Sequence, residues 1–310
     1  MSKPGALDLA NSVGGTIAKE EVNNAVEKYE KYHCYYGGDE KERKANYADM
    51  VNKYFDLVTS FYEYGWGESF HFASRWKGES LKEGIKRQEH FIALQLCLKP
   101  GQKVLDVGCG IGGPLREIAR FSMTSITGLN NNEYQITRGK ELNRKAGLDK
   151  TCDYVKADFM KMPFPDNSFD AAYALEATCH APDAVGCYEE IHRVLKPGQC
   201  FAAFEWCMTD SFDPNNEEHL NIKKEIELGN GLTDVRTRAQ CLEALKQVGF
   251  ELMALEYVGL APKGSQRVQA FLEKAADGLF AGGRKGIFTA NYIFLVRKPQ
   301  LDGSSRSTTE

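Results

Sequence analysis

The chain has 310 residues, 42% hydrophobic and 26% charged, with a formal net charge of -4. That is long enough to bury a full core and too apolar for wholesale disorder. The mild acidity gives no electrostatic footprint for nucleic acid and none for strong attraction to anionic lipid.

The opening MSKPGALDLANSVGG lacks the apolar core of a secretion signal, and no run approaches the length of a membrane span. Nine scattered cysteines without a CxxC pair argue against a zinc site of the usual spacing and for reduced thiols in a cytosol-facing protein, and no metal is expected. A helical pattern covers Lys19 to Tyr35 and is punctuated by Gly37-Gly38. From Asp39 onward, Tyr47, Met50, Val51, Tyr54, Phe55, Val58 and Phe61 follow helical spacing with one buried stripe. The stretch SFYEYGWGESFHF (Ser60 to Phe72) follows, with six aromatic rings, two glutamates and a histidine. It reads as too broken by glycine for a helix interior. Another helix, Leu81 to Leu98, stops at Lys99-Pro100-Gly101.

Beyond Gly101 the grammar changes. KVLDVG, SITGL, CDYVKAD, FDAAYALE and CFAAFEW read as strands, and helical runs alternate with them. That alternation predicts a doubly wound, mostly parallel α/β sheet of the Rossmann-like kind. Further helices are expected at Glu217–Leu228 and Thr237–Val248. GFELM and IFTANYIFLVRKP read as late strands, and residues 300–310 as a disordered tail.

LDVGCGIGGP (Leu105 to Pro114) is the most specific stretch. Gly108, Gly110 and Gly113 satisfy GxGxxG between strand and helix, which alone suggests a dinucleotide. Asp106, however, stands just before the turn, where it would repel a pyrophosphate. No acid follows about 20 residues on, where Asn130 lies instead. An acid there suits a ligand with a positive amino group and a sulfonium. A turn needed only for strand–helix packing is the plainer alternative.

D-V-G-C-G-I-G-G resembles the first motif of class I S-adenosyl-L-methionine-dependent methyltransferases. That resemblance implies cofactor contacts from Asp106, Gly108, Cys109, Gly110, Gly112, Asn130, Asp158, Phe159 and Glu176. Asn130 replaces the acid that many of these enzymes use for the ribose. LKPGQ resembles the turn before their fifth strand. FYEYGWGESFHF, EATCHAP and FEWCMTD, together with the glycine block, resemble the sterol 24-C-methyltransferase family of the plant cycloartenol type, over roughly residues 8 to 299.

The family's reaction implies attack by a sterol side-chain double bond on the sulfonium methyl, then a side-chain carbocation, a hydride shift and proton loss to a 24-methylene. Rings near such a cation stabilise it by cation–π contact, about 2 kcal/mol when desolvated, and exclude water. The candidates are Tyr62, Tyr64, Trp66, Phe70 and Phe72, with Trp206 opposite, and each has core packing as its alternative. Glu68 is either a pocket or a surface carboxylate. His71 and His180 lie in recognisable blocks, and the proton acceptor is either His180 or Glu176.

The resemblance also implies four regions: a helical N-terminal part (1–98), a cofactor domain (99–256), a C-terminal sterol region (257–299) and the tail (300–310). GFELM runs directly into ALEYVGLAPKG, so several dozen residues of the family's substrate cover are expected to be missing between Phe250 and Tyr257. A cofactor-binding chain with impaired turnover and a methyltransferase for another greasy acceptor are the competing readings. Peripheral contact with the endoplasmic reticulum membrane is the expected location, and a homo-oligomer stays open.

Overall fold

A computed structural model describes residues 17, 19–257, 278–279 and 281–300. The tail from 301 lies outside the described residues, as do residues 258–277 and 280 of the expected C-terminal sterol region.

Helices α1 (Val22–Glu30), α2 (Glu40–Ala45), α3 (Tyr47–Gly65) and α4 (Leu81–Gln95) form the N-terminal part. Strand β1 (Lys103–Val107) is followed by α5 (Gly113–Ser122), β2 (Ser125–Asn130), α6 (Glu133–Ala146), β3 (Cys152–Lys156) and β4 (Phe169–Leu175). Then come α7 (Ala184–Val194), β5 (Leu195–Met208), α8 (Glu217–Asn230), α9 (Arg238–Val248), β6 (Glu251–Tyr257) and β7 (Phe288–Arg297). Local chemistry sets several of the helix starts: Ser80 with Glu83 and Thr237 with Gln240 close capping boxes at α4 and α9.

The seven strands form one sheet in the order β3-β2-β1-β4-β5-β7-β6. β1 to β5 pair in parallel, and β7 runs antiparallel between β5 and β6. Side chains alternate between two cores. Leu105, Ala172, Ala174, Phe201 and Phe294 pack with α7 and α9, whereas Val104, Ala171, Tyr173 and Phe204 pack with α4 and α5. The expected α/β sheet is thus present. The seventh strand comes from residues 288–297, inside the expected C-terminal region, so that region completes the sheet that the cofactor domain begins. The turn expected at LKPGQ is a bulge inside β5, where pairing with β4 slips between Phe169 and Ala171 and Gly198 adopts φ +79°.

Helix α3 positions the site. Its buried stripe packs against Tyr29 of α1, and its polar edge reaches residues that follow β2, β3 and β4. Thr59 accepts from Gln135 at 2.9 Å, Asp56 accepts from Asn132 at 2.9 Å, and Phe55 meets the His180 ring edge-on at 5.3 Å. The helix therefore lies across the carboxyl ends of the parallel strands. Ligands of open α/β sheets bind there, where the strand order reverses between β1 and β4.

Candidate active site

The β1–α5 turn needs its glycines for stated reasons. Gly108 has φ +77°, and a Cβ on it would lie 2.4 Å from that of Ala177; Gly110 has φ +53°. Asp106, Gly108, Cys109, Gly110, Ile111, Asn130 and Asn131 line one side of a cavity; Tyr47, Val51, Phe55, Phe70, Phe159, Glu176 and His180 are among those facing them.

Asp106 is 2% exposed and accepts from the Tyr173 hydroxyl at 3.0 Å. Burial pushes its carboxyl up to about 7, against the pull of that hydroxyl. Glu176, just past β4, holds φ +54°, a left-handed conformation that a non-glycine residue adopts at a cost of about 1–3 kcal/mol. Burial pushes its carboxyl up to about 8, against the His71 ring, Trp206 and the Phe72 N–H. His71 is buried with Nε2 3.3 Å from Glu89 Oε1 and Nδ1 3.0 Å from the Phe72 carbonyl. Burial opposes its charge, yet Glu89 outweighs that and its pKa is raised.

His180 sits in a short 3-10 turn, Thr178–His180. Its Nδ1 lies 2.9 Å from the Gly231 carbonyl, so Nδ1 carries the proton and Nε2 keeps its lone pair. Burial lowers its pKa to about 4.

The aromatic stretch divides in two. Residues up to Gly65 complete α3, contrary to the expectation of a broken segment, because each carries a side chain that a helix tolerates until the chain reaches Gly65 and Gly67. Residues 66–72 then form a strap over the glycine turn. Gly113 N–H donates to the Glu68 carbonyl at 3.0 Å, the Glu68 carboxylate pairs with Arg116 at 2.8 Å, and Ser69 donates to Glu89 at 2.6 Å. Phe70 lies over Gly110.

Not every expected residue reaches the cavity. Phe70, His71, Glu68, Glu176 and His180 line it. Tyr62 stands directly behind, edge-on to Phe70 at 5.5 Å, its hydroxyl 2.5 Å from that of Tyr54. Tyr64 is 74% exposed, because it lies two positions from Tyr62 on a helix and so faces the opposite way. Trp66 and Trp206 flank Phe72, at 5.1 and 5.7 Å, as a second layer rather than a cavity face. The Trp206 indole Nε1–H has no partner at hydrogen-bond geometry among the described residues, although it lies near enough to Glu176 to lower that pKa. Asp158 is engaged by the Tyr47 hydroxyl and by Met160 N–H, and Phe159 takes the cavity face. Gly112 packs under Tyr154, whose hydroxyl would lie 1.8 Å from an added Cβ.

Tyr47, Val51, Phe55, Asn131 and Gln135 line the cavity and were absent from the expected site. Their only sequence signal was the α3 stripe, which resembles any buried helix face, and the NNN run after β2.

The family model described as "Methyltransferase domain" matches residues 105–203, and the one described as "Sterol methyltransferase C-terminal" matches residues 248–300. Cycloartenol-C-24-methyltransferase 1 of Oryza sativa subsp. japonica is 64% identical, covering 96% of this chain and 99% of that protein. Cycloartenol-C-24-methyltransferase of Arabidopsis thaliana is 65% identical, covering 95% and 100%. The chain belongs to the sterol 24-C-methyltransferase family.

A member from Saccharomyces cerevisiae, a sterol 24-C-methyltransferase, is 41% identical over 96% of this chain and 92% of its own. Among solved structures, the geranyl diphosphate C-methyltransferase of Streptomyces coelicolor A3(2) superposes with a TM-score of 0.66 at 17% identity, covering 81% of this chain and 98% of that one. It shares the fold. The chain is a methyltransferase that uses S-adenosyl-L-methionine and acts on a sterol. The alignment with the rice enzyme spans 341 positions, longer than this 310-residue chain, so that relative carries residues absent here. Among the described residues, no helix is long and apolar enough to cross a membrane.

The cavity suits this cofactor. Asp106 offers a carboxylate with one donor partner, and the positive-φ turn brings backbone close enough for an amino-acid and nucleoside ligand.

Proposed function

We propose that the chain methylates carbon 24 of a cycloartenol-type sterol and releases a 24-methylene product. The observation that carries this reading is one cavity holding the Asp106–glycine turn, the rings of Phe55, Phe70 and Phe159, and an uncharged His180. The names of the plant relatives support the acceptor.

When bound, S-adenosyl-L-methionine supplies an electrophilic methyl on a sulfonium. Asp106 would receive its amino group, and the backbone of Gly108, Cys109 and Gly110 would hold its amino-acid and nucleoside parts. Asn130, an amide bonded to Gln135 at 2.7 Å, would serve the ribose side with Asn131. Phe159 and Ile111 would give apolar faces for the adenine. Phe55 and Phe70, backed by Tyr62, face the side-chain cation and keep water from it. Trp66, Phe72 and Trp206 form the wall behind the strap. Glu68 clamps the strap to Arg116, and His71 orients it through Glu89.

His180 ranks above Glu176 as proton acceptor. A carboxyl pushed to about 8 is protonated at neutral pH in the free chain and cannot accept. An imidazole lowered to about 4, with Nδ1–H committed to a carbonyl, presents a free lone pair. Glu176 then serves as anchor of the strap, accepting from the Phe72 N–H at 2.7 Å.

The longer alignment favours one second reading, a cofactor-binding chain with impaired turnover whose missing residues fall between Phe250 and Tyr257. Single-turnover transfer of label from S-adenosyl-L-methionine to cycloartenol in mild detergent separates the two. A labelled 24-methylene sterol supports the enzyme; cofactor binding without sterol product supports the impaired variant. The insolubility of a sterol argues for peripheral contact at the cytosol-facing endoplasmic reticulum membrane, which flotation with sterol-loaded vesicles tests. Self-association is read by light scattering.

A further inference from the structure

One side chain outside the cavity bonds to both ends of the turn that carries His180. Arg236 lies between α8 and α9 and is 8% exposed. Its Nη1 donates to the Ala181 carbonyl at 2.8 Å and its Nη2 to the Thr178 carbonyl at 2.6 Å. Those carbonyls bracket His180, so one planar guanidinium grips both ends of the turn. That is a forked geometry which an ammonium cannot reproduce.

The same loop makes two further contacts to the turn. The Gly231 carbonyl takes the His180 Nδ1 proton at 2.9 Å, and Thr233 Oγ1 donates to Ala181 at 3.3 Å. The loop is itself fixed. Gly231 N–H donates to the Tyr29 hydroxyl at 3.1 Å, the Tyr54 hydroxyl donates to the Gly229 carbonyl at 3.0 Å, and Arg43 Nε donates to the Thr233 carbonyl at 2.9 Å. Met208 N–H meets the Arg236 carbonyl at 2.9 Å. Glu205, fully buried, supplies the counter-charge: its carboxylate accepts from Thr178 Oγ1 and from the backbone N–H of Trp206, the latter at 2.8 Å.

We propose that Arg236 is a positioning residue for proton removal: by bridging the Thr178 and Ala181 carbonyls it holds His180 with Nδ1–H on Gly231 and Nε2 open to the cavity. The proposal rests on the reading of His180 as proton acceptor. In that step the C–H pair of the transferred methyl becomes the second bond of the methylene, and the proton passes to Nε2. It leaves to solvent once the product has gone. Without the bridge the turn rotates, the Gly231 bond weakens and the cation outlives the base. The cation is then trapped by water as an alcohol or loses a proton elsewhere.

The test uses the full chain as Arg236→Lys, Arg236→Met and His180→Gln, with three readouts. The first is the 15N signature of the His180 ring in the free chain. The second is cofactor affinity, and the third is the distribution of sterol products in single turnover. Arg236→Lys is expected to fold and to bind cofactor within about three-fold of the parent. It should lose the single Nδ1–H tautomer and cut 24-methylene formation about ten-fold or more, with alcohol or isomeric alkene rising. His180→Gln should shift products in the same direction. An unchanged ring signature in Arg236→Lys overturns the positioning role, whatever the activity does. A product shift in Arg236→Lys with none in His180→Gln overturns the link to His180. Should Arg236→Met fail to fold, Arg236→Lys decides alone.

Discussion

The backbone N–H of Phe72 donates to Glu176 Oε1 at 2.7 Å, which ties the aromatic strap to the end of β4. A residue in a left-handed conformation thus connects the cover of the cavity to its floor. The strap, the glycine turn and the strand end form one assembly, and their electrostatics should be read together.

Asp106 and Glu176 hold protons in the cofactor-free fold, at about 7 and about 8, both well above an unfolded carboxyl. A raised carboxyl pKa gives stability that is complete below the unfolded value and is lost as pH rises through the folded one. The raised His71 pKa acts in the same direction, with Glu89 as its partner. Stability of the free chain should therefore fall by about 2–4 kcal/mol between pH 6 and 8. Cofactor binding should strengthen over the same interval, with proton release. Denaturation and calorimetry at the two pH values check this. Asp106→Asn combined with Glu176→Gln should flatten the stability trend.

A Cβ on Gly113 would lie 2.2 Å from the Glu68 carbonyl oxygen, which is backbone and cannot swing away. Gly113→Ala should push the strap off the turn and break the Gly113–Glu68 bond. Overpacking of this kind costs about 1–3 kcal/mol, and we expect cofactor affinity to fall about ten-fold. Equilibrium binding of labelled cofactor reads the outcome; unchanged affinity would show that the strap does not govern the cavity.

Phe70 and Tyr64 carry opposite expectations despite belonging to one stretch. Phe70→Ala opens the cavity beside Gly110 and should lower kcat/KM about ten-fold or more, with water-trapped product appearing. Tyr64→Ala, at an exposed site, should stay within about two-fold. Steady-state rates with product analysis compare them.

Arg43 and Glu227 form a buried pair at 3.0 Å, and Lys223 also reaches Glu227. Glu227→Ala leaves the Arg43 charge buried without its partner and should cost about 3–5 kcal/mol in denaturant unfolding. Glu117→Ala, which removes an ion pair with the half-exposed Lys86, should cost under about 1 kcal/mol.

The sequence alone determined the sheet, the glycine turn and the family blocks, because those signals are local. The alternation of Val104 and Leu105, or of Ala172 and Tyr173, follows from a two-residue period, and Gly108 answers a backbone angle. Asp106, Phe70, Glu176 and His180 were legible as site residues for the same reason, since each sits at a strand end or in a short specific block. Which rings face the cavity was not local. Tyr62 and Tyr64 differ only in helical phase, and the phase became visible once α3 was seen to run on to Gly65. Trp206 and Asp158 were claimed by Phe72 and Tyr47, partners 134 and 111 positions away in the chain. Tertiary structure alone decided that α3 crosses the strand ends, that Arg236 grips the His180 turn, and that burial raises the Asp106 and Glu176 carboxyls while it lowers the His180 imidazole. Each depends on what surrounds a group in space, and spacing along a chain carries no measure of desolvation.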